Sequence, residues 1–254
     1  MSVEELFLSY TADYVNDNSM CSYKVDHSFR VRDIAIKIGK SINLSVKDLE
    51  LLNICGVLHD IGRFEQFRRY ETFVDSDCVS HCQVGYDVLS SGTIFDELNL
   101  DDSDREIVLC VALNHGVLKV DDGIVGRKRK FLDIIRDADK LDILDNGVLG
   151  NISLNIGDDV ISDKIYQNIF NHETVNLDEK TNRADRICVW FAFAFGLNFR
   201  YSFRYLEEFD IMSKLGNIYR DKTCNEECKR QITIVCEEVK KYIRSKVGKG
   251  EIVC

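Results

Sequence analysis

The sequence predicts an all-α fold, and three observations carry that prediction. Apolar residues recur at helical spacing through most of the 254 residues. Polar start and stop signals separate the periodic stretches. Proline is absent, so nothing in the chain breaks a helix interior the way that residue does.

The elements follow in order. "HSFRVRDIAIKIGKSI" sets His27, Val31, Ile34 and Ile38 on one face. "SVKDLELLNICGVLHD" has Ser45 as N-cap, with Asp48 three residues on as an imperfect capping box, and Leu49, Leu52, Gly56 and His59 sharing a face. "SHCQVGYDVLSSG" groups His81, Val84 and Val88, and Gly92 suits a helix stop. "SDREIVLCVALNHG" takes Ser103 as cap with Glu106, carries Ile107, Val111 and Asn114 on one stripe, and places His115 beside it. "RKFLDIIRDADKLDIL" aligns Leu132, Ile135, Asp139 and Asp142. Beyond the Gly- and Asn-rich "DNGVLGNISLNIGDD", the stretches "ISDKIYQNIF" and "ADRICVWFAFAFGLNFRYSFRYLEEFDI" read as helical. The aromatics of 190–205 suggest a buried packing helix. "NEECKRQITIVCEEVKKYIRSKV" is an amphipathic helix. These signals divide the chain into a domain at 1–150 and a helical extension at 151–254.

Composition narrows the function. The chain is 45% hydrophobic and 30% charged, as globular proteins are. A net charge of −10 disfavours general nucleic-acid binding, because phosphates are repelled. It leaves room for a small anionic substrate in a locally cationic pocket. The basic run "RKRK" at 127–130 reads as a solvated helix start. No apolar run is long enough for a bilayer, and "MSVEELFLSY" lacks a basic end and a long apolar stretch, so a cytoplasmic location without membrane contact is expected. Ten scattered cysteines read as reduced thiols in that compartment, and "CNEEC" lacks the second pair a zinc site needs. The last amphipathic helix could pack on its own domain or on a second subunit, so a homodimer is possible.

Polar residues on the inward faces then stand out: His27, His59, Asp60, His81, His115 and Asp139. They come from five successive helical segments, at separations far too long for a local finger. One buried histidine is ordinarily a hydrogen-bonded core residue, and His172, whose neighbours in "NIFNHETVN" are mostly polar, is not counted as a ligand. Six such groups buried without partners would cost several kcal/mol each. A metal centre answers that cost for all of them together.

The order H…HD…H…H…D, with the words "HSFRV", "LHDIGRFEQFRRY", "SHCQVGYDVL", "ALNHG" and "RDADKLDIL", resembles the HD-domain superfamily of metal-dependent phosphohydrolases over about residues 20–145. The resemblance implies an HD-domain helical bundle with a C-terminal helical extension. It implies that His27, His59 and Asp139 bind one divalent transition metal, that His81 and His115 bind a second, and that Asp60 bridges them. Asp139 takes precedence over Asp137 as the aspartate of the "AD-basic-L" word. Iron or manganese suits the ligand set, as do zinc, cobalt and nickel. The activity implied is hydrolysis of a phosphoester or phosphoanhydride in a small molecule, a nucleotide foremost, by a metal-bridging hydroxide. Asp60, Arg63 and Lys140 are the catalytic candidates. Arg63, Lys140 and Arg68 (or Arg69) are the phosphate-binding candidates. The same ligand set also serves di-iron oxygenases of the superfamily, and a non-catalytic nucleotide-binding regulatory module is the third reading. The "GYP" word of the cyclic-dinucleotide branch is missing.

Overall fold

The computed structural model describes residues 1–17, 19–76, 79–176 and 179–248. It contains thirteen α-helices among these residues and no β-strand, only an isolated antiparallel bridge between Ser76 and Val79. The all-α class holds. The chain divides into two compact units, Met1–Asp139 and Lys140–Cys254. The division falls inside a helix, upstream of the Gly- and Asn-rich segment on which the boundary at 150 was drawn. No helix among the described residues is long and apolar enough to cross a membrane.

The first unit holds α1 (Val3–Asp17), α2 (Ser19–Ser41), α3 (Val46–Leu58), α4 (Gly62–Tyr70), α5 (His81–Ser91), the short α6 (Ile94–Glu97) and α7 (Asp102–Asn114). Helix α8 (Gly126–Leu149) starts in this unit and runs through the division. α2 lies along α3, α1 packs on both, and α5 packs against α4 and α7. Phe7, Phe64, Ile38, Leu52, Leu58 and Ile107 are fully buried between them. Phe7 meets Phe29 and Phe64 edge-on, each at 5.7 Å between centroids. Burial of one such ring stabilises the unit by about 2–3 kcal/mol.

The helix starts follow local chemistry. Ser45 caps α3, its hydroxyl accepting from the Asp48 amide at 3.1 Å. Gly92 closes α5, its amide donating to Val88 O at 3.1 Å. The cap of α7 differs from the reading above. Asp101 caps it, accepting from the Asp104 amide at 2.8 Å, so the helix starts before Ser103. Both residues are good N-caps, and the carboxylate two positions upstream captures the free amides first. In α5 the buried stripe runs through Val84 and Leu89, while Val88 is only half-buried. The basic run 127–130 opens α8, where Arg127 pairs with Asp48 and Asp104, Lys128 with Glu106 and Arg129 with Asp133.

The second unit takes the rest of α8 and adds α9 (Asp163–Phe170), α10 (Asp185–Ala192), α11 (Arg200–Glu208), α12 (Ile211–Asp221) and α13 (Glu226–Val247). α13 is the axis on which α9, α10, α11 and α12 pack. The aromatic stretch expected as one helix is three pieces: α10, a 3-10 turn at Phe193–Gly196, and α11. Leu197 and Phe199 between them are extended. Gly196 and Asn198 are poor helix formers, and the chain breaks where they cluster. His172 lies in this unit, 3.1 Å from Glu238 Oε1 and against the rings of Phe195 and Tyr242.

Candidate metal centre

Six side chains converge in the first unit. His27 comes from the middle of α2 and His81 is the first residue of α5. His59 and His115 are the C-caps of α3 and α7, and Asp139 sits on α8. Asp60 occupies the turn between α3 and α4. His59 and Ile61 keep right-handed helical dihedrals, so the chain keeps turning from α3 into α4. Neighbours in such a turn diverge by about 100°, which lets His59 and Asp60 meet different parts of the cluster. Helix ends suit ligands because a terminal side chain projects past its own helix. His27, His59, Asp60, His81 and His115 are each at most 5% exposed, and the Asp139 side chain is 21% exposed.

The distances divide the cluster in two around Asp60. Its Oδ1 lies 3.4 Å from His81 Nε2 and 3.3 Å from His115 Nε2. Those two nitrogens are 3.1 Å apart. Its Oδ2 faces the other way, 3.6 Å from His27 Nε2, which is itself 3.2 Å from Asp139 Oδ1. Metal-capable atoms of His27, His59 and Asp139 lie within 4.8 Å of one another, and so do those of His59, Asp60 and His115.

The ring tautomers follow from the outer contacts. A carbonyl can only accept, so His59 Nδ1 donates to Gly56 O at 2.8 Å and His115 Nδ1 to Ala112 O at 3.1 Å. His81 Nδ1 donates to the Asp75 carboxylate at 2.6 Å. In each ring Nε2 then carries the lone pair and points inward, the arrangement that backing groups impose on metal-binding histidines.

His59 Nε2 and Asp60 Oδ1 are buried and make no hydrogen bond. Leaving such an atom unsatisfied costs about 1–3 kcal/mol, more for a charged one. A divalent cation would satisfy both, and a buried imidazole–carboxylate set is a donor set for such cations. The electrostatics agree. Burial keeps His59 neutral, its pKa pushed down to about 3. Burial alone would raise the Asp60 carboxyl, but Lys24, His115 and Arg63 outweigh it and hold the group ionised. Asp139 is likewise held ionised against burial by the hydrogen bond to His27. His115 is opposed by burial yet drawn up by Cys82 and Asp60. The negative charge that draws His115 up also favours a cation at this spot.

Several contributors were not legible in the sequence. Lys24, one turn before His27, places Nζ 2.7 Å from Asp60 Oδ2. Asp75 orients His81, and Arg63 Nη1 braces that loop by donating to Phe73 O at 2.6 Å and Asp75 Oδ1 at 3.2 Å. Arg136 Nη1 donates to His115 O at 2.7 Å and Val117 O at 2.6 Å, holding the end of α7 in place. Cys82 puts its sulfur 3.4 Å from His81 Nε2. The one-turn spacing of Lys24 and His27 was the only available signal; the rest depends on how loops and helices meet.

The remaining candidates lie as follows. Arg63 Nε is 3.5 Å from Asp60 Oδ1. Arg68 pairs with Glu65 and covers the Tyr14 ring at 5.2 Å, and Arg69 Nε donates to Glu65 at 2.6 Å. Lys140 belongs to the second unit, where its side chain runs beside Gly196. Asp137 is fully buried and is not one of the residues grouped around the centre.

The sequence pattern of the family described as HD domain matches residues 25–147, a span that contains all six converging residues. No match was found among curated proteins or among solved structures. Members of that family bind divalent metals through such a cluster and are commonly hydrolases. On this match residues 25–147, a little under half of the chain, are assigned to the HD-domain superfamily.

Proposed function

We propose that the chain is a metal-dependent phosphohydrolase acting on a small phosphorylated molecule, with nucleotides as the first class to test. One observation carries the reading. The two oxygens of Asp60 face two separate groups of ligands, Oδ1 toward His81 and His115 and Oδ2 toward His27. In this reading His27, His59 and Asp139 hold one cation, His81 and His115 hold another, and Asp60 serves both. Two divalent cations, when bound, supply a nucleophile from water at neutral pH and neutralise phosphoryl oxygens.

The chain's own residues do the rest. His59 stays a neutral donor, and the carboxylates limit the net charge of the centre. The side chains of Lys24 and Asp139 are 18% and 21% exposed, so the cluster meets solvent on their side. An anionic phosphate arriving there meets the Lys24 ammonium first. Lys24 can exchange the Asp60 carboxylate for a phosphate oxygen, since an ammonium on a flexible stem turns easily. Arg63, tied to Phe73 and Asp75, keeps the His81 loop in place and has Nε left to give. Arg68 is proposed as a secondary phosphate contact.

The test is phosphate release from nucleoside mono-, di- and triphosphates and from simple phosphate esters, with manganese or ferrous iron added. Release should depend on the metal. It should fall at least about 100-fold in Asp60→Asn, as expected when a charge-stabilising group is lost. In Lys24→Met it should fall mainly through a higher KM. Substrate-dependent oxygen uptake without phosphate release would assign the chain to oxygenase chemistry. Nucleotide binding that survives Asp60→Asn, without turnover in the wild type, would make it a regulatory module.

A further inference from the structure

Cys82 follows His81 directly and is 5% exposed. A buried free cysteine usually fills core space as a small hydrophobe. This one does not face apolar side chains alone. Its Sγ lies 3.4 Å from His81 Nε2, and Cys82, His81 and His115 offer metal-capable atoms within 4.8 Å of one another. Gly116 forms the wall opposite. A Cβ there would stand 3.0 Å from Cys82 Sγ and 3.0 Å from His81 Cε1, so the thiol and the ring fill the space a side chain would need.

The separations also fit a coordination shell. With metal–nitrogen bonds of about 2.05 Å and a metal–sulfur bond of about 2.3 Å, tetrahedral edges are about 3.3 Å between nitrogens and about 3.6 Å from nitrogen to sulfur. The observed values are 3.1 Å between His81 and His115 Nε2 and 3.4 Å from His81 Nε2 to Cys82 Sγ. Asp60 Oδ1 faces the same pair of nitrogens, at 3.4 and 3.3 Å, and has no hydrogen bond of its own.

We propose that Cys82 is a sulfur ligand of the metal held by His81 and His115, which gives this half of the centre a softer donor set that favours zinc, cobalt or ferrous iron over manganese. The inference rests on the reading of the cluster as a metal centre. On binding, the thiol gives its proton to solvent and the sulfur donates an electron pair to the cation, so no oxidant or reductant is needed.

The test uses cobalt(II) and zinc on the whole protein, with Cys82→Ser and, as a control for the exposed thiol, Cys224→Ser. In the wild type, cobalt should give a sulfur-to-metal charge-transfer band in the near ultraviolet. X-ray absorption of the zinc form should show a sulfur scatterer at about 2.3 Å. Cys82→Ser should lose both signals, and its zinc affinity should fall at least about tenfold while manganese affinity changes far less. Cys224→Ser should behave as the wild type. Metal bound with only nitrogen and oxygen neighbours in the wild type overturns the inference and leaves the hydrolase reading standing. The sulfur signal without phosphate release from any ester does the reverse. Failure to bind either metal overturns both.

Discussion

Gly62, the glycine of "HDIGR", and Gly85 face each other where α4 packs on α5, and an alanine at each should have very unequal consequences. A Cβ on Gly62 would overlap the His81 carbonyl oxygen and the Gly85 amide, and would stand 2.7 Å from Gly85 Cα. Carbon atoms pack at about 3.5–4.0 Å, so α5 would have to retreat by about 1 Å. The obstacle is backbone on every side, which cannot rotate away as a side chain can. Overpacking of this kind costs about 3 kcal/mol or more. The retreat also carries His81, the first residue of α5, away from Asp60. A Cβ on Gly85 would meet Gly62 N at 3.3 Å and Gly62 Cα at 3.6 Å, a mild squeeze. Alanine inside α5 also gains up to about 1 kcal/mol of helix propensity, so Gly85→Ala should stay within about 1 kcal/mol of the wild type. Urea denaturation of the two variants gives the stability difference, and metal analysis of the same samples gives the effect on the centre. Gly62→Ala should lose both stability and the metal at His81. Equal stabilities for the two variants would refute the close α4–α5 approach that places His81 beside Asp60.

Other predictions follow the same geometry. Asp75→Asn weakens the group that orients His81 Nδ1, and should lower affinity for the metal at His81 by about 10–100-fold in a competitive chelator titration, with little change in unfolding free energy. Asp101→Ala should cost about 1 kcal/mol, and Ser103→Ala should stay within about 0.5 kcal/mol, because only Asp101 caps α7. Glu65 is opposed by burial but held below its ordinary pKa of 4.5 by Arg69, Arg68 and Tyr14. A lowered folded pKa means that its stabilisation is fully present above 4.5 and is lost as pH falls through the lower folded value. Wild type should therefore lose more stability than Glu65→Gln on acidification below about 4.5, read from urea midpoints across the acid range. Excess chelator should lower the melting temperature of metal-loaded protein, since a ligand at about 100 times its Kd contributes about 2.7 kcal/mol.

Helix content was legible because period and caps are local. Ser45, Gly92 and the amphipathic stretch after Asn225 each act within a few residues of themselves. The misplacement of the α7 cap came from two good capping residues in competition. The break at 197–199 was hidden by aromatics whose burial is as compatible with two short helices as with one long one. The six converging polar residues could be picked out because polar groups on apolar faces need partners. Cys82 looked like one more buried thiol. Lys24, Asp75 and Arg136 carry no local signal that sets them apart from surface charges. Their roles arise only when α5, α7 and the turn after α3 come together, and no local pattern reports that. His59 and Asp60 were read on a continuous helix, but they sit at its C-cap and in the turn beyond it.

The most direct test of the account is the metal content of protein purified without oxygen, wild type beside His81→Ala. The proposed centre, with two groups of ligands sharing Asp60, predicts about two metal ions per chain in the wild type and about one in the variant. One ion or none in the wild type, or an unchanged count in the variant, would contradict it and return His81 and His115 to the role of hydrogen-bonded core residues.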